Sequence, residues 1–253
     1  MTPSRVSSRT RGRPATGPGL RIGTSGYQYP HWRGAFYPEA LPVSRWFDYY
    51  ADRFDTVEIN NTFYRLPEAG VFDAWCERAP PGFLYALKFS RYGSHLKRLL
   101  EPRKSLSRFV IRARRLRRHL GPILVQLPPR WRADPGRLDR FLRAAPRHLR
   151  WAIEFRDPSW LAEPVYRVLR AHRAALCVHD LIPEHPRLVT APWVYLRFHG
   201  AGLAGGYTAR ALAAIAHEVR EHRSAGRDVY AYFNNDAGGW AVRNAATLRE
   251  LCA

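Results

Sequence analysis

Pro122-Ile123-Leu124-Val125-Gln126-Leu127-Pro128 is a short apolar run with one amide near its end and a proline on each flank. It is too short for a helix and lacks the alternation of a half-exposed strand, so it reads as a strand buried on both faces. Val194-Tyr195-Leu196 repeats the pattern. Working outward from these two, eight segments read as strands: Leu20–Thr24, Thr56–Asn60, Leu84–Ser90, Pro122–Pro128, Arg150–Arg156, Ala174–Asp180, Trp193–Gly200 and Asp228–Asp236.

Helical patterns lie between them. Leu106, Phe109, Val110, Ala113, Leu116 and Leu120 form one stripe and predict a helix over Ser105–Leu120, with arginines opposite. Asp134-Pro135 reads as an N-cap followed by proline at the first helical position. Thr208 caps a helix bearing Leu212, Ile215 and Val219, stopped by Gly226. Weaker patterns fall at 43–52, 69–78, 161–172 and 239–251. Eight strands alternating with helices predict an α/β fold, a single (β/α)8 TIM-type barrel over 20–253. A doubly wound open sheet is the alternative, but no glycine-rich dinucleotide or phosphate turn follows the first strand.

In such a barrel the chemistry sits at the carboxyl ends of the strands. Those ends carry Thr24, Ser25 and Tyr27, then Glu58 and Asn60 with Tyr64 beyond, Lys88 with Arg91, Gln126, Glu154 and Arg156, Asp180, Arg197 and His199, and Asn234, Asn235 and Asp236. Each has a bland reading: an ion pair for Glu154 and Arg156, a satisfied core histidine for His199, a loop-anchoring amide for Gln126. Their convergence favours a pocket, because burying this many ionisable groups is costly unless function requires it.

The chain has 253 residues, 46% hydrophobic and 25% charged, enough to bury a core. No stretch approaches a membrane span, and the first 20 residues hold no apolar block, so neither a transmembrane protein nor a secretory signal is expected. Three widely spaced cysteines argue against a disulfide framework and fit a reducing cytoplasm. The net charge of +20 is concentrated. Residues 1–19, rich in Ser, Thr, Arg, Gly and Pro, read as a disordered basic tail. Residues 91–150 hold 18 basic residues against three acidic ones. Only Lys88, Lys97 and Lys104 of the 41 basic residues are lysines, which looks like codon bias and weakens a nucleic-acid reading of that face.

Several stretches carry a resemblance. They are Ile22-Gly23-Thr24-Ser25-Gly26-Tyr27, Trp32-Arg33-Gly34 with Phe36-Tyr37-Pro38, and Thr56-Val57-Glu58-Ile59-Asn60 with Thr62-Phe63-Tyr64-Arg65-Leu66-Pro67. Further on come Lys88 with Arg91, Gln126-Leu127-Pro128-Pro129, Glu154-Phe155-Arg156 with Pro158-Ser159-Trp160, Arg197-Phe198-His199-Gly200 and Tyr230-Ala231-Tyr232-Phe233-Asn234-Asn235-Asp236. Together they resemble the YecE-like family across residues 22–251. The resemblance implies the barrel and no particular reaction. One departure is Gly93-Ser94, where the family usually has a bulky residue and threonine.

The acids Glu58, Glu154, Asp180 and Asp236 stand against the cations Lys88, Arg156 and Arg197. That crowding opposes a divalent-metal site, and no cofactor is predicted. Arg156 and Arg197 suit a carboxylate or phosphate, with Arg91 beside them. Asn60, Gln126, Asn234 and Asn235 suit hydroxyls or amides, with Thr24, Ser25, Tyr27 and Tyr64 at the same rim. The expected catalytic set is Glu58, Lys88, Glu154, Asp180 and His199, the two glutamates as acid and base. Lys88 reads as a proton donor, a partner of Glu58 or a Schiff-base nucleophile. The leading reading is a hydrolase or lyase acting on a small polar or anionic substrate. The alternatives are a nucleic-acid-binding protein using the basic face with Trp131 as a stacking residue, and a non-catalytic ligand-binding barrel.

Overall fold

In the computed structural model, which describes residues 19–200 and 205–253, eight parallel strands form one sheet. They are β1 (Leu20–Thr24), β2 (Thr56–Ile59), β3 (Leu84–Lys88), β4 (Leu120–Gln126), β5 (Trp151–Glu154), β6 (Ala175–His179), β7 (Trp193–Phe198) and β8 (Asp228–Phe233). Successive strands from β2 to β8 pair, with a register shift between Tyr85 and Leu87 of β3 against β4, and β8 pairs back onto β1 from Leu20 opposite Val229 to Thr24 opposite Phe233. The barrel closes between β1 and β2 through a parallel bridge at Ser25 and Glu58, where the Gly26 N–H donates to the Glu58 carbonyl at 2.8 Å. Gly23 makes that approach possible, since a Cβ there would stand 2.4 Å from the Thr56 carbonyl oxygen. The expected tail lies outside the described residues except Gly19, whose N–H donates to Asp228 Oδ1.

Beside a single helical turn at Asn61–Tyr64, the α-helices of six or more residues among the described residues are α1 (Trp46–Ala51), α2 (Ala69–Arg78), α3 (Pro102–Ala113), α4 (Pro135–Ala144), α5 (Glu163–Ala171), α6 (Ala209–Ser224) and α7 (Trp240–Leu251). Two caps are those expected: Asp134 accepts from the Arg137 N–H at 2.8 Å, and Thr208 from the Ala211 N–H at 3.2 Å. Gly226, just beyond α6, takes a positive φ of 75°.

One helical expectation needs correction. The helix predicted over Ser105–Leu120 ends at Ala113 and passes into a 3-10 stretch, Arg114–His119, in which Arg117 has a positive φ. The apolar stripe continued through Leu116 because that residue still packs inward, so the break was invisible to periodicity. Between β6 and β7 there is no helix at all. Pro183, Pro186 and Pro192 oppose one, and the segment is pinned to β6 by Thr190, which accepts from the Leu176 N–H and donates to the Ala174 carbonyl.

Alternate residues of each strand face inward, which divides the core in two. Outside the sheet, Phe89, Phe109, Phe141, Trp151 and many others pack against the helices. Inside, Ala86, Ala152, Ala175 and Cys177 on β3, β5 and β6 leave room that Trp193, Tyr195, Tyr230 and Tyr232 of β7 and β8 occupy. The lumen is therefore aromatic on one wall and small on the other. Its amino-terminal end is shut by Arg150, which donates to the Tyr230 phenol at 2.6 Å and pairs with Asp228. The polar column continues upward to the strand carboxyl ends. No helix among the described residues is long and apolar enough to cross a membrane.

Candidate active site at the barrel mouth

Arg197 near the end of β7 organises the mouth. Its Nη2 donates to Glu58 Oε1 at 2.7 Å and its Nη1 to Glu154 Oε2 at 2.5 Å, with all three side chains essentially inaccessible. Glu58 receives two more donors, the Ser25 hydroxyl and the Tyr195 phenol at 2.6 Å. Glu154 also accepts from Arg156 Nε. Burial alone would raise the Glu154 pKa, but Arg197 and Arg156 overcome it and hold the carboxyl well below its ordinary range. Every carboxylate oxygen of the two glutamates thus accepts from at least one fixed donor.

His199 lies above them. Its Nε2 is 3.3 Å from Arg156 Nη2 and 3.2 Å from Arg197 Nη1. Guanidinium can only donate, so Nε2 accepts and the ring hydrogen sits on Nδ1, 3.3 Å from Asp180 Oδ1. Asp180 itself accepts from the His199 and Gly200 N–H groups at 2.9 and 3.1 Å and from the Tyr207 hydroxyl. Burial opposes ionisation of Asp180, yet the bonds from His199 and Tyr207 lower its pKa further than burial raises it. It acts as the anchor of the loop after β7.

Lys88, at the end of β3, differs from the other ions. It is 9% exposed and forms no ion pair within 4 Å among the described residues. Its Nζ lies 4.5 Å from the centre of the Phe63 ring. Burial, then the neighbouring Arg197, bring its pKa down to about 8. His95 packs edge-on against the same ring at 4.9 Å and is pushed down to about 4 by burial, Lys88, Arg91 and Arg156. A positive field therefore covers this side of the mouth. His95 sits on the turn Tyr92–Leu96, where Ser94 Oγ bonds to the Ser90 carbonyl and lies 3.0 Å from His95 Nδ1. Gly93 is required there: a Cβ would meet the Phe89 ring at 2.5 Å. A bulky residue has no room at this position.

The remaining expected residues divide. Ser25 joins the array, and Asn60 and Asn235 each keep a buried side-chain oxygen without a partner among the described residues. Asn235 also donates to Asn244. Asn234 donates its backbone N–H to Phe198 and lines a cleft of about 580 Å³ with His199, Asn235, Asp236 and Trp240. Tyr64 is exposed beside Phe63, in a cleft of about 340 Å³ with Ser90 and Tyr92. Gln126 is half-buried opposite Glu154, and Arg91 is exposed on the turn after β3. Thr24 and Tyr27 point elsewhere, Thr24 to Tyr50 and Tyr27 into the aromatic packing around Phe47. A larger surface cleft, about 650 Å³, lies on the outer wall between α3 and α4, away from the buried charges. Size does not identify the chemistry here.

Reading from the sequence missed Tyr195 and Cys177, which share the inward face of Arg197 and His179 by two-residue spacing. Cys177 Sγ lies 4.0 Å from Glu154, and its thiol pKa is raised well above normal by burial and by that carboxylate. Trp131, the suggested stacking residue, is buried against Trp160 at 5.1 Å and is not available to bases. Among the described residues, no three His, Cys, Asp or Glu side chains converge as a metal-ligand set.

The family described as Protein of unknown function DUF72 matches residues 21–253. The chain belongs to the DUF72 family. A crystal structure of a DUF72 protein from Thermotoga maritima superposes with a TM-score of 0.82 at 26% identity, covering 92% of this chain and 98% of that one. A second, from Enterococcus faecalis, gives 0.75 at 20% identity, over 92% and 95%. The UPF0759 protein YunF of Bacillus subtilis is 21% identical over 86% of this chain and 90% of its own length. The DUF72 barrel is thus matched nearly end to end, with the mouth and both of its walls inside the matched span.

Proposed function

We propose that this DUF72 barrel is an enzyme acting at its carboxyl-terminal mouth on a small polar or anionic molecule, by lyase-type rather than hydrolytic chemistry. One observation carries the reading. The charges Glu58, Arg197, Glu154 and Arg156 pair with one another, while the amine of Lys88, buried beside both the guanidinium groups and the carboxylates, has no carboxylate within 4 Å among the described residues. Carboxylates engaged on both oxygens by fixed donors serve first as anchors, which favours a reacting group other than Glu58 or Glu154. They serve instead to fix two guanidinium groups, and Arg156, part-exposed, is placed to grip an anionic group. Lys88 is then the reacting group, with His199 and Asp180 setting the roof. Three cations beside two carboxylates argue for a site that works without a divalent metal.

The strand-end motifs that resemble the YecE-like family support that narrower placement within DUF72. Three free cysteines support a reducing, cytoplasmic location. The test is a thermal-shift screen of wild type and Lys88→Met against small carboxylates, phosphates and their neutral analogues, with turnover assays on every hit. The expected result is that anions raise the wild-type melting temperature, fail to do so in the variant, and are converted. A panel without any stabilising anion, or anions that stabilise both proteins equally, overturns the proposal.

A further inference from the structure

We infer that Lys88 forms an imine with the carbonyl group of a small anionic carbonyl compound, of which a 2-oxo acid is the simplest example. This rests on the proposed anion-accepting mouth and names what that mouth receives.

The placement of the amine supports it. Lys88 sits at the end of β3 on the lumen side, opposite Leu124 of β4 and buried beneath Phe63. Its neighbours Arg197 and Arg156 are fixed guanidinium groups tied to the two glutamates. An amine buried beside fixed guanidinium groups loses its proton more readily than an exposed lysine, so a larger fraction of it carries a free lone pair near neutral pH. The same cations suit a carboxylate on the incoming molecule. An arginine at this position would supply charge but no nucleophile, and a chain with only three lysines places one here.

The step balances simply. The Nζ lone pair forms a bond to the carbonyl carbon, and the carbon–oxygen double bond breaks. The oxygen leaves as water with both amine hydrogens, giving a neutral imine. One proton from solvent makes the iminium, which draws electrons from the adjacent carbon as a lyase requires.

The experiment uses the intact wild-type protein, pyruvate and sodium borohydride, read by intact mass and peptide mapping. Hydride addition fixes the iminium as a mass gain of pyruvate less one oxygen atom. Lys97 and Lys104 serve as internal surface controls, since Lys97 is part-exposed and Lys104 exposed. With Lys88 at about 8 and an ordinary lysine near 10.5, the free-amine fraction near neutral pH favours Lys88 on the order of 100-fold. The expected result is labelling at Lys88 above both controls, stronger with pyruvate than with neutral hydroxyacetone, and weaker in Arg91→Glu. Equal labelling of all three lysines, or none at Lys88, overturns the inference. If anions still stabilise wild type but not Lys88→Met in the thermal screen, the imine alone fails and the anion site stands. If that stabilisation is also missing, both fall together.

Discussion

Tyr195 and Arg197, two residues apart on β7, both donate to Glu58: the phenol to Oε2 at 2.6 Å and the guanidinium to Oε1 at 2.7 Å. Two-residue spacing puts both on the inward face, so a single strand supplies two of the donors that fix this carboxylate. The second arm of Arg197 then carries the charge balance across to β5. The array is a continuous bridge between β2, β7 and β5, with Arg197 as the cation that joins both glutamates.

Replacing Arg197 by Met leaves two inaccessible carboxylates without that cation. Urea denaturation at neutral pH is expected to show a loss of about 3–5 kcal/mol. Glu154 is held well below the ordinary glutamate value of 4.5 in the folded chain, so the stability it gains from Arg197 is full above that value. It is lost as pH falls through the depressed folded value, and the gap between the two proteins narrows below about pH 4.5. A gap that stays constant with pH would place the contribution of Arg197 in packing rather than charge.

Lys88→Met is expected to be more stable than wild type at pH 7, by about 1–3 kcal/mol. The folded amine has a pKa of about 8, below the model value of 10.5. Below the folded value the amine is charged in both states, and only the folded state suffers from burying it. Between the two values the folded amine is neutral while the unfolded one still binds a proton, so wild-type stability recovers as pH rises. The advantage of the variant should shrink from pH 8 upward in scanning fluorimetry. A variant less stable at pH 7 would mean that the ammonium is held by a favourable ion pair.

The strands were legible because two-sided burial leaves apolar runs such as Ile123-Leu124-Val125, and their carboxyl ends pointed to Glu58, Lys88, Glu154, Arg197 and His199 as neighbours. Side-chain direction was less legible. Ser25 shares the inward face with Gly23, whereas Thr24 turns outward to Tyr50, and alternation along β1 was the available signal. The saturation of Glu58 and Glu154 had no sequence signature, because it depends on one arginine reaching both strands. The helix-free link before β7 was marked by three prolines, and the turn at Arg117 by nothing periodic.

Asp180→Asn and Tyr207→Phe each remove part of the anchor beneath Gly200. Each should cost about 1–2 kcal/mol in denaturant titration. Because both act on one carboxylate, the double variant is expected to lose less than the sum. Strict additivity would show that the phenol and the carboxylate hold the loop independently.

Charge reversal of Arg112, Arg115 and Arg118 tests the basic face. Arg112 pairs with Glu68 at 2.9 Å and Arg115 with Asp73, so part of the surplus charge is already compensated. These residues lie toward the start of β4, the barrel end opposite the mouth. Heparin retention should fall while anion stabilisation at the mouth is unchanged, and any drop in melting temperature should fade with added salt. Weakened anion stabilisation would couple the two regions.

Gly93 and the Phe89 ring occupy space that a larger residue at 93 would claim, and this limits the order in which the two positions can change during descent. A lineage carrying Phe89 cannot acquire bulk at 93 first, because the ring would have to leave its packing against Phe109 and Phe141. Shrinking position 89 first opens a void under α3 and α4, so that intermediate is also disfavoured. A bulky residue at 93 is therefore compatible with this fold only when position 89 gives up its ring in the same molecule, and neither side chain can be resized alone.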